Sequence, residues 1–192
     1  MDKNKTVVET SKLLAVNGGE HIYSLISDSE VENGHIGYVG DIVDGEGIEI
    51  RSFEVFDVDT INKRRVVLAA NPEWDYDESR RTNQAMCNYS NEANVPFRAY
   101  GLALSGDVYG VTEGGIDKGS ATEIEVGQYV TNAADSTKAH VVNESATVGR
   151  GFVGKIIGKV QRGLGWKTEG GKTYGRPSVT YLIEVLRNGF VD

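Results

Sequence analysis

Gly149-Arg150-Gly151-Phe152-Val153-Gly154 spells the GxGxxG pattern of a dinucleotide-binding turn. That chemistry needs a helix N-terminus after the glycines, so that backbone amides face a pyrophosphate. The residues that follow, Lys155–Val160, are β-branched and interrupted by Gly158. The acidic ribose contact about 20 residues on has a candidate only in Glu169, inside a glycine-rich segment. The pattern therefore reads as a turn entering a strand. Glu73, Asp75, Asp77 and Glu78 could suggest calcium, but the sixth and twelfth positions of such a loop would be Arg80 and Met86. Asp57 and Asp59 fail the same comparison. His21, His35 and His140 lie far apart and show no zinc-ligand spacing. Cys87 is the lone cysteine and has no nucleophile signature around it, so it reads as a half-buried structural thiol. No catalytic residue, metal or cofactor is expected.

One basic and aromatic concentration stands out: Arg162, Trp166, Lys167, Lys172, Tyr174 and Arg176. Trp, Tyr and Arg are the residue types enriched in interface hot spots. Single-stranded nucleic acid also favours such a surface, but the formal net charge of −8 suits a protein contact better. A flexible hairpin tip fits the same residues. The charge argues against nucleic-acid and anionic-membrane partners. No run approaches the roughly 18 apolar residues of a membrane span, and no signal peptide opens the chain, so a product folded in a reducing cytoplasm is expected.

The elements around these residues read as strands and turns. Twenty-four glycines and nine tyrosines against three prolines, in 192 residues, favour short strands joined by tight turns. The expected fold is mainly β: a Gly/Tyr-rich barrel or sandwich with one helical or loop insertion in the middle. Residues 1–20 are expected as a polar N-terminal arm and 21–192 as a β-rich body, its sub-lobes 21–70 and 97–192 joined by 71–96. His21–Ile26, His35–Val39, Ile48–Val58, Arg65–Ala70, Phe97–Leu104 and Val108–Thr112 are strand candidates. Turns are expected at Asn33-Gly34 and Gly40-Asp41, and a bulge near Arg51-Ser52 would reconcile the alternation of Ile48–Val58. Asp75–Asn91 lacks Pro and Gly and allows a helix of several turns. Gln128–Val130 and Lys138–Val142 flank a hairpin loop, and Phe152–Val160 and Val179–Leu186 are the strongest late strands. Gln161–Pro177 between them reads as a long loop, which in a compact domain is usually functional or flexible.

Several blocks, in this order, carry a resemblance: Ile22–Ile26 with Glu32-Asn33-Gly34-His35-Ile36-Gly37-Tyr38, then Pro72-Glu73-Trp74 with Glu78–Gln84. Asn91-Glu92-Ala93 with Pro96–Tyr100 and Tyr109-Gly110-Val111 follow, then Gly127–Val130, Phe152–Ile156 and Tyr181–Leu186. Together they resemble a family of small proteins encoded near the major capsid protein of tailed phages and prophages of Gram-positive bacteria. The resemblance implies an auxiliary head protein that decorates the outer surface of the capsid. Its partner would be the major capsid protein, its state a homo-oligomer on the lattice, its location the virion, and it offers no catalytic residues. On this reading the contact is expected on the N-terminal arm, with Lys3, Lys5 and Lys12, and then on Arg80 and Arg81. Arg80 and Arg81 are expected to pair with acidic groups and make the central stretch a clasp. A virion-displayed host-surface or carbohydrate-binding module, using Trp166 and Tyr174 beside Arg176, is the alternative.

Overall fold

The computed structural model describes residues 5–18, 21–73, 86–169 and 172–191; for 17–18, 164–169, 172–174 and 176 it describes the backbone. In chain order the strands are β1 (Val8–Lys12), β2 (Ile22–Ile26), β3 (Ile36–Ile42), β4 (Ile50–Glu54), β5 (Val67–Ala69) and β6 (Phe97–Gly101). They continue as β7 (Val108–Thr112), β8 (Ile116–Asp117), β9 (Tyr129–Thr131), β10 (Ala139–Val142), β11 (Phe152–Glu169) and β12 (Lys172–Asn188). One short helix, α1 (Leu14–Gly18), follows β1. The expected mainly β class is what the chain adopts, as a small closed barrel and an open sheet.

The barrel closes in the order β2-β4-β3-β5-β6, and the seven-stranded sheet runs β1-β7-β12-β11-β9-β10-β8. The alternation of β5 explains how the two meet. Val67 and Ala69 join Leu25, Val31, Phe53, Phe97 and Ala99 inside the barrel. Val66, Leu68 and Ala70 point the other way, into a larger core with Phe56, Tyr109, Val111, Phe152, Ile156 and Ile183. A strand buried on both faces reads as a continuous apolar run rather than an alternating one, which is the pattern of Val66–Ala70. The barrel interior is tight: a Cβ at Gly37 would lie 2.5 Å from the Phe53 ring.

Dry packing between barrel and sheet leaves backbone groups that need partners. The Asn188 side chain supplies them at the end of β12. Its Nδ2 donates to the carbonyls of Val66 (3.0 Å) and Leu102 (2.9 Å), and its Oδ1 accepts from the Val66 amide (2.8 Å). Asp107 does similar work, accepting the Leu14 amide at 2.8 Å and the Ala103 amide at 2.7 Å. A third knot gathers the ends of the central stretch. Asn33 exchanges two hydrogen bonds with the Asn71 backbone and accepts from Asn91 Nδ2 at 3.1 Å. Both described ends of residues 71–91 thus fasten to one buried asparagine.

Several expectations change. Residues 5–12 are not a free arm: Thr6, Val7 and Val8 are buried and β1 pairs antiparallel with β7. The β-branched residues at the centre of a polar segment were sufficient to join an edge. Gly40-Asp41 lies within β3, and the bulge falls there, between Val39 and Ile42, opposite the expected place in β4. Of the expected helix, Met86–Asn88 forms one 3₁₀ turn with Cys87 buried, and 74–85 lie outside the described residues. Gln161–Pro177 is not a loop, because β11 and β12 stay paired to Glu169↔Lys172. No helix among the described residues is long and apolar enough to cross a membrane.

Replacing Asn188 by Ala would strand three buried backbone groups. A loss of about 2–4 kcal/mol is expected, from unsatisfied groups costing roughly 1–3 kcal/mol each and sharing some relaxation. Urea unfolding of Asn188→Ala and Asn188→Asp, monitored by tryptophan fluorescence, measures it.

Candidate partner-binding surface

Within the sheet, β12 pairs with β7 from Thr180 to Glu184, and β11 pairs with β9 at Gly154 and Lys155. Beyond Thr180 and its partner Val160, β11 and β12 pair only with each other among the described strands. Residues 161–169 and 172–179 therefore form a two-stranded ribbon growing out of a seven-stranded root. At about 3.3 Å per residue it reaches roughly 25 Å beyond the root. A register shift between Arg162 and Gly165 marks its base, and a bulge there adds local twist.

The register sorts the residues that the sequence singled out. Lys167 stands opposite Tyr174, Glu169 opposite Lys172, and Gly165 opposite Arg176. Directly opposed positions share a face, and successive positions alternate. Lys167, Lys172, Tyr174 and Arg176 therefore occupy positions of one face, with Glu169. Trp166, opposite Gly175, belongs to the other. Trp166 and Tyr174 therefore take register positions on opposite faces. Arg162, Lys167, Lys172 and Arg176 against Glu169 make the ribbon net basic in a chain of net charge −8.

At the root, the Arg162 guanidinium donates to both Glu9 carboxylate oxygens, at 3.0 and 3.2 Å, tying the ribbon base to β1. The pair is exposed and contributes little stability. Lys12, at the end of β1, is exposed. Lys5 is already engaged, with Glu30 and, at 3.5 Å, with Glu32. Lys3, Arg80 and Arg81 lie outside the described residues. The expected contact residues thus divide: Lys12 stands level with Val108 and Glu184, at the end of β1 away from the ribbon, and Lys5 is turned to an internal role.

Other groups with chemical potential are used structurally. The Asp57 carboxylate accepts the Asp59 and Thr60 amides and the Thr60 hydroxyl, which hold its pKa below the ordinary carboxylate value. His140 Nδ1 meets Asp117 at 3.1 Å. The Gly119 amide, with help from His140, keeps the Asp117 carboxyl low. Among the described residues no hydroxyl or thiol hydrogen-bonds the Nε2 of His140, and no three ligating groups converge on a metal position. Gly149–Gly154 is the turn into β11, as its spacing implied.

His35 and Glu32 form the most perturbed pair, and no motif marked them in the sequence. Glu32 Oε2 accepts from the Thr6 amide (2.8 Å) and hydroxyl (2.7 Å). Burial pushes this carboxyl up, but the Thr6 bonds outweigh it and its pKa falls below the ordinary range. His35 bonds Thr137 Oγ1 through Nδ1 at 3.0 Å, while Nε2 is buried 4.0 Å from Glu32 with no hydrogen bond. Burial lowers its pKa from 6.5 to about 4, reinforced by Lys138 and Lys5 and opposed by Glu32. The cluster pins the residues before β1 to the Asn33-Gly34 turn. Comparison with known proteins adds nothing to this geometry: no family model matches the chain, and no significant match arises among curated proteins or solved structures.

The pH dependence follows. Between pH 6.5 and about 4 the unfolded chain protonates His35 and the folded chain does not, so stability falls as pH falls through that window. Glu32, whose folded pKa is also lowered, acts in the same direction further down. A loss on the order of 2–3 kcal/mol from His35 is expected. Urea midpoints at pH 7, 6, 5 and 4 should decline, and His35→Gln should flatten the upper part of that decline.

Proposed function

We propose that this chain is a structural protein of a tailed-phage head, binding the assembled capsid from outside and stabilising it. The observation that carries the reading is the ribbon of residues 161–169 and 172–179: a rooted, net basic pair of strands extending past its own sheet. Arms of this kind contribute contacts to a neighbour rather than to their own core. Many symmetric copies add modest contacts into firm attachment. The resemblance of its ordered sequence blocks to capsid-decorating proteins supports the same reading, with the major capsid protein as the proposed partner. The carbohydrate-binding alternative gains no support from the register, which sets Trp166 and Tyr174 on opposite faces.

Cosedimentation with tailed-phage heads lacking the protein tests this. The full chain should bind, more weakly as salt rises. A chain with 162–177 replaced by a two-residue turn should keep its melting temperature within a few degrees, because the ribbon lacks lateral strands, and should lose most binding. Failure of the full chain to bind such heads would overturn the capsid reading; undiminished binding by the shortened chain would remove the ribbon from it.

A further inference from the structure

At the end of the sheet opposite the ribbon, several separate segments of chain are fastened together. The Asp107 carboxylate accepts the Leu14 and Ala103 amides, and its carbonyl accepts the Val185 amide at 2.8 Å. The Asn188 amide donates to the Leu104 carbonyl at 2.9 Å, which carries the fastening on to residues 188–191. There Asn62 accepts the Gly151 amide at 3.1 Å and the Val191 amide at 3.0 Å, and the Gly189 amide donates to the Gly151 carbonyl. A Cβ at Gly151 would lie 2.8 Å from the Gly189 carbonyl oxygen and 3.1 Å from that of Asn62, so glycine is what permits the approach.

What these fastened segments present is apolar and basic. Leu14, Leu104, Val148 and Phe190 are exposed, Phe190 by 62%. Exposed apolar groups gathered at one place and rimmed by polar ones mark a contact surface. The same segments carry Lys12, Lys63, Arg64, Arg65, Arg150 and Arg187 against Asp57, Asp59, Asp107 and Glu144. The two signs are not used alike. Asp57 and Asp107 are taken up by backbone amides, and Glu144 by the Tyr129 hydroxyl. None of these cations is in an ion pair among the described residues. Arg65 lies over the Phe190 ring, 5.3 Å from its centroid, and sets a cation beside an exposed aromatic. Arginine and aromatic side chains are the types enriched in interface hot spots.

We propose that this root end is a second contact surface for the capsid, taking an acidic segment of the lattice whose apolar side chains lie against Leu104 and Phe190. Charge complementarity selects the occupant, because cations without ion pairs in a chain of net charge −8 fit carboxylates. A nucleic acid would gain little from Leu14, Leu104 and Val148, and an anionic membrane would meet the negative charge of the whole chain. The root end and the ribbon stand at opposite ends of β11, whose 18 residues span roughly 60 Å. Two contacts that far apart bridge neighbouring lattice positions, and each raises the effective concentration of the other. The proposal rests on the reading of the chain as a capsid-binding protein.

Cosedimentation with heads lacking the protein tests it, using two full-chain variants whose melting temperatures are measured first. Both pairs of substitutions fall at exposed positions, so the fold should hold within a few degrees. Arg65→Glu with Arg187→Glu should weaken binding about tenfold or more and reduce its dependence on salt. Leu104→Ser with Phe190→Ser should weaken it comparably and leave the salt dependence unchanged. The parent chain should not bind vesicles of phosphatidylserine and phosphatidylcholine. Undiminished binding to heads by either variant, or vesicle binding that the charge reversals abolish, would overturn this proposal alone. A parent chain that fails to bind heads would overturn the capsid reading with it.

Discussion

The three hydrogen bonds of the Asn188 side chain, to both backbone groups of Val66 and to the carbonyl of Leu102, are the most buried of the polar bonds that fix two apolar-packed architectures against each other, among them Ile36 N to Thr137 O and Asn132 Nδ2 to Ile61 O. Apolar contact is strong but non-directional; it would let a barrel slide on a sheet. A buried amide with its partners fixed sets one register, and any slip leaves polar groups stranded at a cost of kilocalories each. Asn188 also stands opposite Phe152 at the start of β11. The residue that docks the barrel therefore also anchors the root of the long hairpin. The ribbon inherits its direction from that root.

The hairpin divides by what surrounds it. Up to Val160 and from Thr180 onward, β11 and β12 lie in the sheet, with Ile156, Ile183 and Val185 in the shared core. Beyond them the same two strands have no lateral strand among the described residues, and Val179 is the last of their described side chains packed against the core. Cross-strand pairs contribute only some tenths of a kilocalorie each, and Gly163, Gly165 and Gly175 add none. A segment in this position adds little to folding and is free to serve a partner. Its composition agrees, since its positive charge opposes that of the chain as a whole.

The sequence showed the fold where local signals were strong. The run Val66–Ala70 marked a buried strand, Asn33-Gly34 a tight turn, and the alternations near Ile22 and Val108 became β2 and β7. Closure of the barrel was not legible, because it depends on β2 pairing with both β4 and β6, strands far apart in the chain. β1 was hidden because only Thr6, Val7 and Val8 carry its burial, within a polar segment. The ribbon read as a loop because glycine and lysine are poor strand formers; its pairing comes from the root, which carries the register outward. Asn188 and His35 looked like ordinary polar residues, and only the fold shows what each one meets.

Charge is distributed along the sheet in a way that separates two responses. At the β1 edge, Thr6, Glu32, His35 and Lys5 make a knot whose neutral and charged forms differ in stability. At the root of the hairpin, the fastening groups are asparagine amides and backbone, which do not titrate. Acid therefore acts on the attachment of β1 before it acts on the ribbon's base. The exposed Arg162–Glu9 pair, at the join between them, is screened by salt and holds little. Salt thus weakens contacts made by the ribbon's charges while leaving the root in place, and acid loosens the neighbouring edge while leaving those basic charges intact. Ionic strength thus acts on the ribbon's charges and acid on the neighbouring knot, and neither reaches the Asn188 amide that sets the barrel on the sheet.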